Sequence, residues 1–204
     1  MVASLDEFLA RPDVGRIAQR LAAHKPLTVE ATGKMRYAAI ALALRPSATG
    51  EPELLMIRRA ELERDPWSGH IACPGGRMEP GDVDLAHTAI RETFEETGVD
   101  LARDGRILGA LDDVAPRTPA LPPLVIRPFV AAVSRDAVTT PSDEVAEAFW
   151  VPFTAFLDPA SWGRAIVPIR NLGSRDVEAF RYGEFVVWGL THRALTQFLG
   201  LLRD

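Results

Sequence analysis

Between Asp82 and Gly98 the chain reads DVDLAHTAIRETFEETG, an order that fits a helix and little else. Asp82 or Asp84 can cap its start, and Gly98 can take the left-handed position that ends it. At about 100° per residue, Ala86, Ala89, Ile90, Thr93 and Thr97 gather into one inner face. Glu92, Glu95 and Glu96 then share the adjoining sector, at i, i+3 and i+4. Like charges so placed repel by ~0.2–0.5 kcal/mol per pair. Two readings are open. In one, Arg91 pairs with Glu95 a turn later and the other carboxylates face water. In the other, the carboxylates surround a hard cation such as Mg²⁺, which takes oxygen ligands and shares itself with substrate phosphates. Just upstream, Pro74-Gly75-Gly76 allows close backbone approach to a ligand and could free a carbonyl as a further metal oxygen.

The rest of the chain alternates short strands and helices. Ser4 to His24 has helical spacing through Leu5, Phe8, Leu9, Val14, Ile17 and Leu21, and Pro12 should split it in two. Arg36–Leu44 and Glu53–Arg58 read as a hairpin. His70–Cys73, Ile107–Asp113, Ile126–Val133, Ala148–Val151 and Phe185–Trp188 read as further strands, and Pro116–Pro123 as an irregular loop. Leu190, Ala194, Phe198 and Leu202 mark a closing amphipathic helix. Hairpins dominate, so the expected class is α+β: a mixed β-sheet packed between helices, an α/β/α sandwich. Residues 1–30 form an expected helical extension and residues 31–204 the main domain.

Composition removes several functions. The chain has 204 residues and a formal net charge of −5, which gives no electrostatic case for nucleic acid. Apolar residues make up 47%, enough for a real core. No apolar run approaches the ~20 residues needed to span a bilayer. The single cysteine, Cys73, allows no internal disulfide and suits a reducing compartment. The start, Met1-Val2-Ala3-Ser4-Leu5-Asp6-Glu7, lacks the order of a secretory signal. A cytoplasmic protein is expected, with no membrane partner.

The segment Arg91-Glu92-Thr93-Phe94-Glu95-Glu96-Thr97-Gly98-Val99 resembles the second half of the Nudix hydrolase box. Thr93 stands where that box usually has an aliphatic residue. Upstream, Gly76 is followed at the box spacing by Asp82 instead of Glu, and the stretch to Arg91 is one residue longer than usual. The run Leu54-Leu55-Met56-Ile57-Arg58-Arg59, then Pro66-Trp67-Ser68-Gly69-His70-Ile71-Ala72-Cys73-Pro74-Gly75-Gly76, is similar to the coenzyme A pyrophosphatase branch, as is the late Trp188-Gly189. Cys73 replaces the usual aromatic and reads as a small buried hydrophobe.

The resemblance implies a Nudix-type sandwich and hydrolysis of a diphosphate bond by water, with Mg²⁺ as the cofactor and Mn²⁺ as a substitute. Carried over residue by residue, it makes Glu92, Glu95 and Glu96 metal ligands, with the carbonyl of Gly75 or Gly76 as an addition. It gives Arg91 the task of orienting the glutamates, and Asp82 a structural one beside Arg91. Glu144, with Glu147 second, is the general-base candidate. Arg58 or Arg59 would reach a substrate phosphate, with Arg36, Arg117 and Arg127 as weaker choices, or else pair with Glu61 or Glu63 at the rim. Trp67, Phe129, Trp162 and Tyr182 could stack on a base but suit a core better. His70, His87 and His192 show no metal-type pairing. The expected partner is a small nucleotide diphosphate, best matched by coenzyme A or a derivative. Alternatives are ADP-ribose, a dinucleoside polyphosphate, a nucleoside triphosphate, or a module that senses a nucleotide without cutting it. Nothing in the sequence forbids a homodimer.

Overall fold

The computed structural model describes residues 4–30, 35–63, 65–116, 123–169 and 173–203. Arg117 and most of the proline loop lie outside them. Helices α1 (Leu5–Leu9) and α2 (Pro12–Ala23) open the chain. Ser4 and Glu7 close a capping box on α1, and Pro12 occupies the first turn of α2, where a missing N–H costs nothing. Strands β1 (Arg36–Pro46) and β2 (Pro52–Arg59) follow, then β3 (Ile71–Ala72) and β4 (Gly75–Arg77). After α3 (Leu85–Thr97) come β5 (Gly105–Ala110), β6 (Leu124–Val133) and β7 (Val145–Pro152). A short α4 (Phe153–Leu157) leads to β8 (Trp162–Ile169), β9 (Gly173–Tyr182), β10 (Phe185–Trp188) and α5 (Gly189–Arg203).

Among the described residues these strands make one mixed sheet in the order β5-β6-β1-β2-β3-β10-β9-β8, with β4 also on β1 and β7 on β2. The expected β1–β2 hairpin exists, but its strands pair only next to the turn, at Leu44↔Leu54, Arg45↔Glu53 and Pro46↔Pro52. Beyond that they diverge. β1 takes β4 as an antiparallel partner through Ala39↔Gly76, while β2 takes β7 along its whole length. On its other edge β1 runs parallel to β6 from Arg36↔Leu124 to Leu44↔Ala132.

Side-chain alternation sorts the core into two layers. Ile40, Leu42, Leu44, Leu54 and Met56 join Phe8, Ile17, Leu21, Phe156, Leu195 and Phe198 on one face. Ala39, Ala41, Ala43, Leu55 and Ala131 join Leu85, Ala89 and Val99 of the α3 side on the other. The sandwich is therefore α1, α2, α4 and α5 over one face and α3 over the other. No helix among the described residues is long and apolar enough to cross a membrane.

The structure differs from the sequence expectation in three places. Helix α3 begins at Leu85 with Asp84 as its cap, because Asp82 is committed elsewhere. Gly75–Arg77, for which no strand was expected, is a strand. The β8–β9 hairpin was not anticipated: exposed Ile166 and Pro168 hide the alternation of β8 in the sequence, and the first residues of β9 are exposed and mostly polar or charged.

The first helices are also more than an appendage. Phe8 is fully buried in the main core, and the segment after α2 is tied down as Leu27 and Val29 donate N–H bonds of 2.9 and 2.7 Å to Asp112 and Asp113. Phe8→Ala should therefore cost ~3–5 kcal/mol of stability, read as a lower denaturation midpoint of the full chain. An unchanged midpoint would mean that α1 contributes nothing to the core.

Candidate active site

The site is built where α3 crosses the divergence between β1 and β2. Gly75 and Gly76 lie in β4 against β1. At Gly75, φ is +147°, and a side chain there would strike the Ala39 carbonyl. At Gly76 a side chain would overlap the Glu92 carboxylate. The two glycines thus let backbone reach both β1 and the acidic helix. The Gly75 N–H donates to Glu96 Oε2 at 2.8 Å.

Arg91 organises the other side. Its Nε and Nη2 donate to the two oxygens of Asp82, each at 2.9 Å. Nη2 also donates to the Arg77 carbonyl at 3.0 Å, while Nη1 meets Glu95 at 2.8 Å and Glu92 at 3.0 Å. Asp82 accepts further bonds from His87 Nδ1, Thr88 Oγ1 and the Glu79 N–H, each at 2.9 Å. Its side chain is only 1% exposed. The Arg91 guanidinium, with these other donors, outweighs burial and holds the Asp82 carboxyl far below the usual range.

The three glutamates have separate environments. Glu96 is buried, and burial pushes its carboxyl up to about 7. The Gly75 N–H and the Arg59 charge pull it down, whereas Glu92 and Glu144 push it further up. Glu92 is raised as well, mainly by burial and against Arg91. Glu95 is 54% exposed and turned to Arg91. The i+4 pairing open to Arg91 and Glu95 is therefore present, but Glu96 does not face water. Thr93 fits because that face is crowded and small; it is fully buried and donates to the Ala89 carbonyl at 2.6 Å. Among the described residues no three acidic, His or Cys side chains are spaced to hold a metal ion. Glu92 and Glu96 have the right chemistry, as hard oxygens, one half-buried and one buried, without full neutralisation. Glu95 would join them only by leaving Arg91, and its exposure leaves room for that turn.

Glu144 sits at the open end of β2, where the Ala60 N–H donates to its carbonyl at 2.9 Å. Glu147 lies within β7, not in a loop before it, and pairs with Arg58 at 2.8 Å. Arg58 Nε is buried with no hydrogen-bond partner. Arg59 donates through Nε and Nη2 to Asp65 Oδ2, at 3.0 and 2.7 Å. Sequence reasoning missed Asp65. Its signal was the Asp65-Pro66-Trp67 turn, in which Oδ1 accepts the Trp67 N–H two residues on. Arg127 is committed to the buried Asp113, Phe129 is core, and Trp67 packs on His70 and Trp188. Cys73 is buried with its thiol pushed up to about 12, which suits a hydrophobe and not a nucleophile.

The chain belongs to the NUDIX domain family, whose model matches residues 34–170. It is 30% identical over 153 residues to human mitochondrial coenzyme A diphosphatase NUDT8, covering 74% of this chain and 63% of that protein. To the Caenorhabditis elegans peroxisomal coenzyme A diphosphatase ndx-8 it is 37% identical over 107 residues, covering 52% of this chain and 43% of that one. It thus spans less than two thirds of either relative. A MutT/nudix family protein from Enterococcus faecalis has a similar fold, with TM-score 0.56 and 14% identity over 98% of this chain and 73% of that one.

The Asp82–Arg91 pair yields a prediction with a definite sign. A carboxyl depressed in the folded state stabilises fully above its unfolded value, about 3.9, and loses that contribution as pH falls below it. Asp82→Asn should therefore cost ~1–3 kcal/mol near neutrality, and the deficit should shrink as urea unfolding is repeated toward about pH 3. A deficit independent of pH would show that the Asp82 charge is not its source.

Proposed function

We propose that this chain is a divalent-metal-dependent hydrolase of a diphosphate bond in a nucleotide-type substrate, with coenzyme A or a derivative as the preferred one. The observation that carries the reading is the pair of incompletely neutralised carboxylates, Glu96 buried and Glu92 half-buried, beside the Gly75–Gly76 backbone. Glu92, Glu95, Glu96 and the Gly76 carbonyl are the groups that would hold Mg²⁺, or Mn²⁺ in its place. When bound, such an ion neutralises phosphate charge and lowers the pKa of water.

The chain's own residues supply the rest. Arg91 holds Glu92 and fixes Asp82 beside the helix, and Glu95 would turn away from it to reach a metal. Gly75 lets backbone approach the phosphates. Glu144 is the candidate to take the proton from the attacking water, and its charge acts on Glu96 across the site. Arg58 and Arg59 are the cations for the phosphates; both arise at the end of β2, next to Glu144. Coenzyme A is favoured by the Leu54–Gly76 run and by the similarity to the two coenzyme A diphosphatases.

Glu95→Gln and Glu96→Gln should each abolish turnover with the fold intact, and exhaustive chelation should do the same to the parent. Near-normal kcat in the folded variants, or after chelation, would overturn the ligand assignment. Phosphate-product chromatography over a panel of diphosphates tests the substrate. Removing the 3′-phosphate of coenzyme A should lower kcat/KM by roughly 10- to 150-fold, as expected for loss of a charge-assisted contact. Equal efficiency on the dephospho form or on ADP-ribose would end the coenzyme A assignment and leave the diphosphate chemistry standing.

A further inference from the structure

Arg59 ends β2, and its charge acts on Glu96 of the acidic helix. The guanidinium is held along one edge. Its Nε and Nη2 donate to the same oxygen, Asp65 Oδ2, at 3.0 and 2.7 Å. The end edge, where Nη1 and Nη2 carry parallel N–H groups, makes no hydrogen bond to any described residue. That is an edge that matches two oxygens of a phosphate.

Asp65 is itself fixed by the loop that carries it. Its other oxygen, Oδ1, accepts the Trp67 N–H at 3.0 Å. Ser68 Oγ donates to the Leu62 carbonyl at 2.7 Å and accepts the Leu62 N–H at 2.9 Å. The Gly69 N–H donates to the Arg59 carbonyl and the Arg59 N–H to the His70 carbonyl, each at 3.1 Å. The Asp65 side chain is 16% exposed. Burial opposes its charge, but Arg59 and the Trp67 N–H hold the carboxyl below its usual range.

An ion pair between partly exposed side chains adds little to stability. What this one adds is direction. A loose arginine gives up rotamer freedom when it meets an anion; Arg59 is ordered beforehand, with its end edge open.

We propose that Asp65 is a positioning residue for the substrate: it holds Arg59 by one edge so that the other receives a phosphate of the diphosphate. Asp65 itself touches no phosphate. The proposal rests on the diphosphate reading of the Glu92–Glu96 site.

The atoms separate the two duties of Asp65. Both Arg59 bonds end on Oδ2 and the turn bond on Oδ1. Asp65→Asn can therefore keep the turn and put an N–H donor where Oδ2 stood, against the donors of Arg59. The probe is α,β-methylene-ADP, whose diphosphate is bridged by carbon and resists water, titrated calorimetrically into the full chain with Mg²⁺. Asp65→Asn should weaken binding by roughly two- to tenfold, the cost of ordering one long side chain. Arg59→Ala should weaken it by about tenfold or more, for a lost charged hydrogen bond. On top of Arg59→Ala, Asp65→Asn should add nothing, because its effect runs through that arginine. A loop that had merely collapsed would still lose affinity there. Binding unchanged or tightened by Asp65→Asn, losses that add in the double variant, or no binding by the parent would overturn the assignment. Turnover of coenzyme A is read separately. A parent that shows this coupling but cleaves nothing keeps the positioning and loses the hydrolysis; one that cleaves without the coupling does the reverse.

Discussion

The guanidinium of Arg91 holds the acidic helix to the sheet. One planar group donates to both oxygens of Asp82, to the Arg77 carbonyl of β4 and to Glu95, and lies against Glu92. It therefore fixes the approach to the helix, the glycine strand and two carboxylates to one another. The fork geometry matters, because a lysine ammonium has no rigid pair of donors to match a carboxylate. Asp82 in turn is buried and fully bonded, so Arg91 cannot swing without leaving a charge unpaired in the protein interior.

Small side chains make the close packing around that anchor workable. β1 presents Ala39, Ala41 and Ala43 to the α3 layer, and α3 answers with Ala89, Thr93 and Thr97. The opposite face of β1 carries Ile40, Leu42 and Leu44 under the other helices. Bulk is thus assigned by face: a thick layer beneath α5, a thin one beneath the helix that carries the glutamates.

Much of this was legible because its signals are local. The α3 periodicity, its ending at Gly98, the Pro12 break and the β10 strand all depend on residues within a turn or two of each other. The proximity of Asp82 to Arg91 was implied by the family resemblance, although the stretch between them is one residue longer than usual. What escaped needed partners far away. Gly75–Arg77 has no strand composition and pairs only because β1 is free beside it. The β8–β9 hairpin has outer residues that face water, so its pattern is faint. The burial of Glu96, which its helical position alone would leave facing solvent, depends on the Gly75 N–H and on the layers above.

The segment between β6 and β7 is stitched to the end of α3: the Thr140 N–H donates to the Thr97 carbonyl at 2.7 Å and the Ser142 N–H to the Glu96 carbonyl at 3.0 Å. Those carbonyls would otherwise be orphans at a helix terminus. Glu144, two residues further on, therefore rides on the same rigid body as Glu96. Whatever breathing the sheet undergoes, the helix and this strap travel together. The two carboxylates keep a common frame, and the arginine-bearing end of β2 is tied into it through the Ala60–Glu144 hydrogen bond and the β2–β7 pairing.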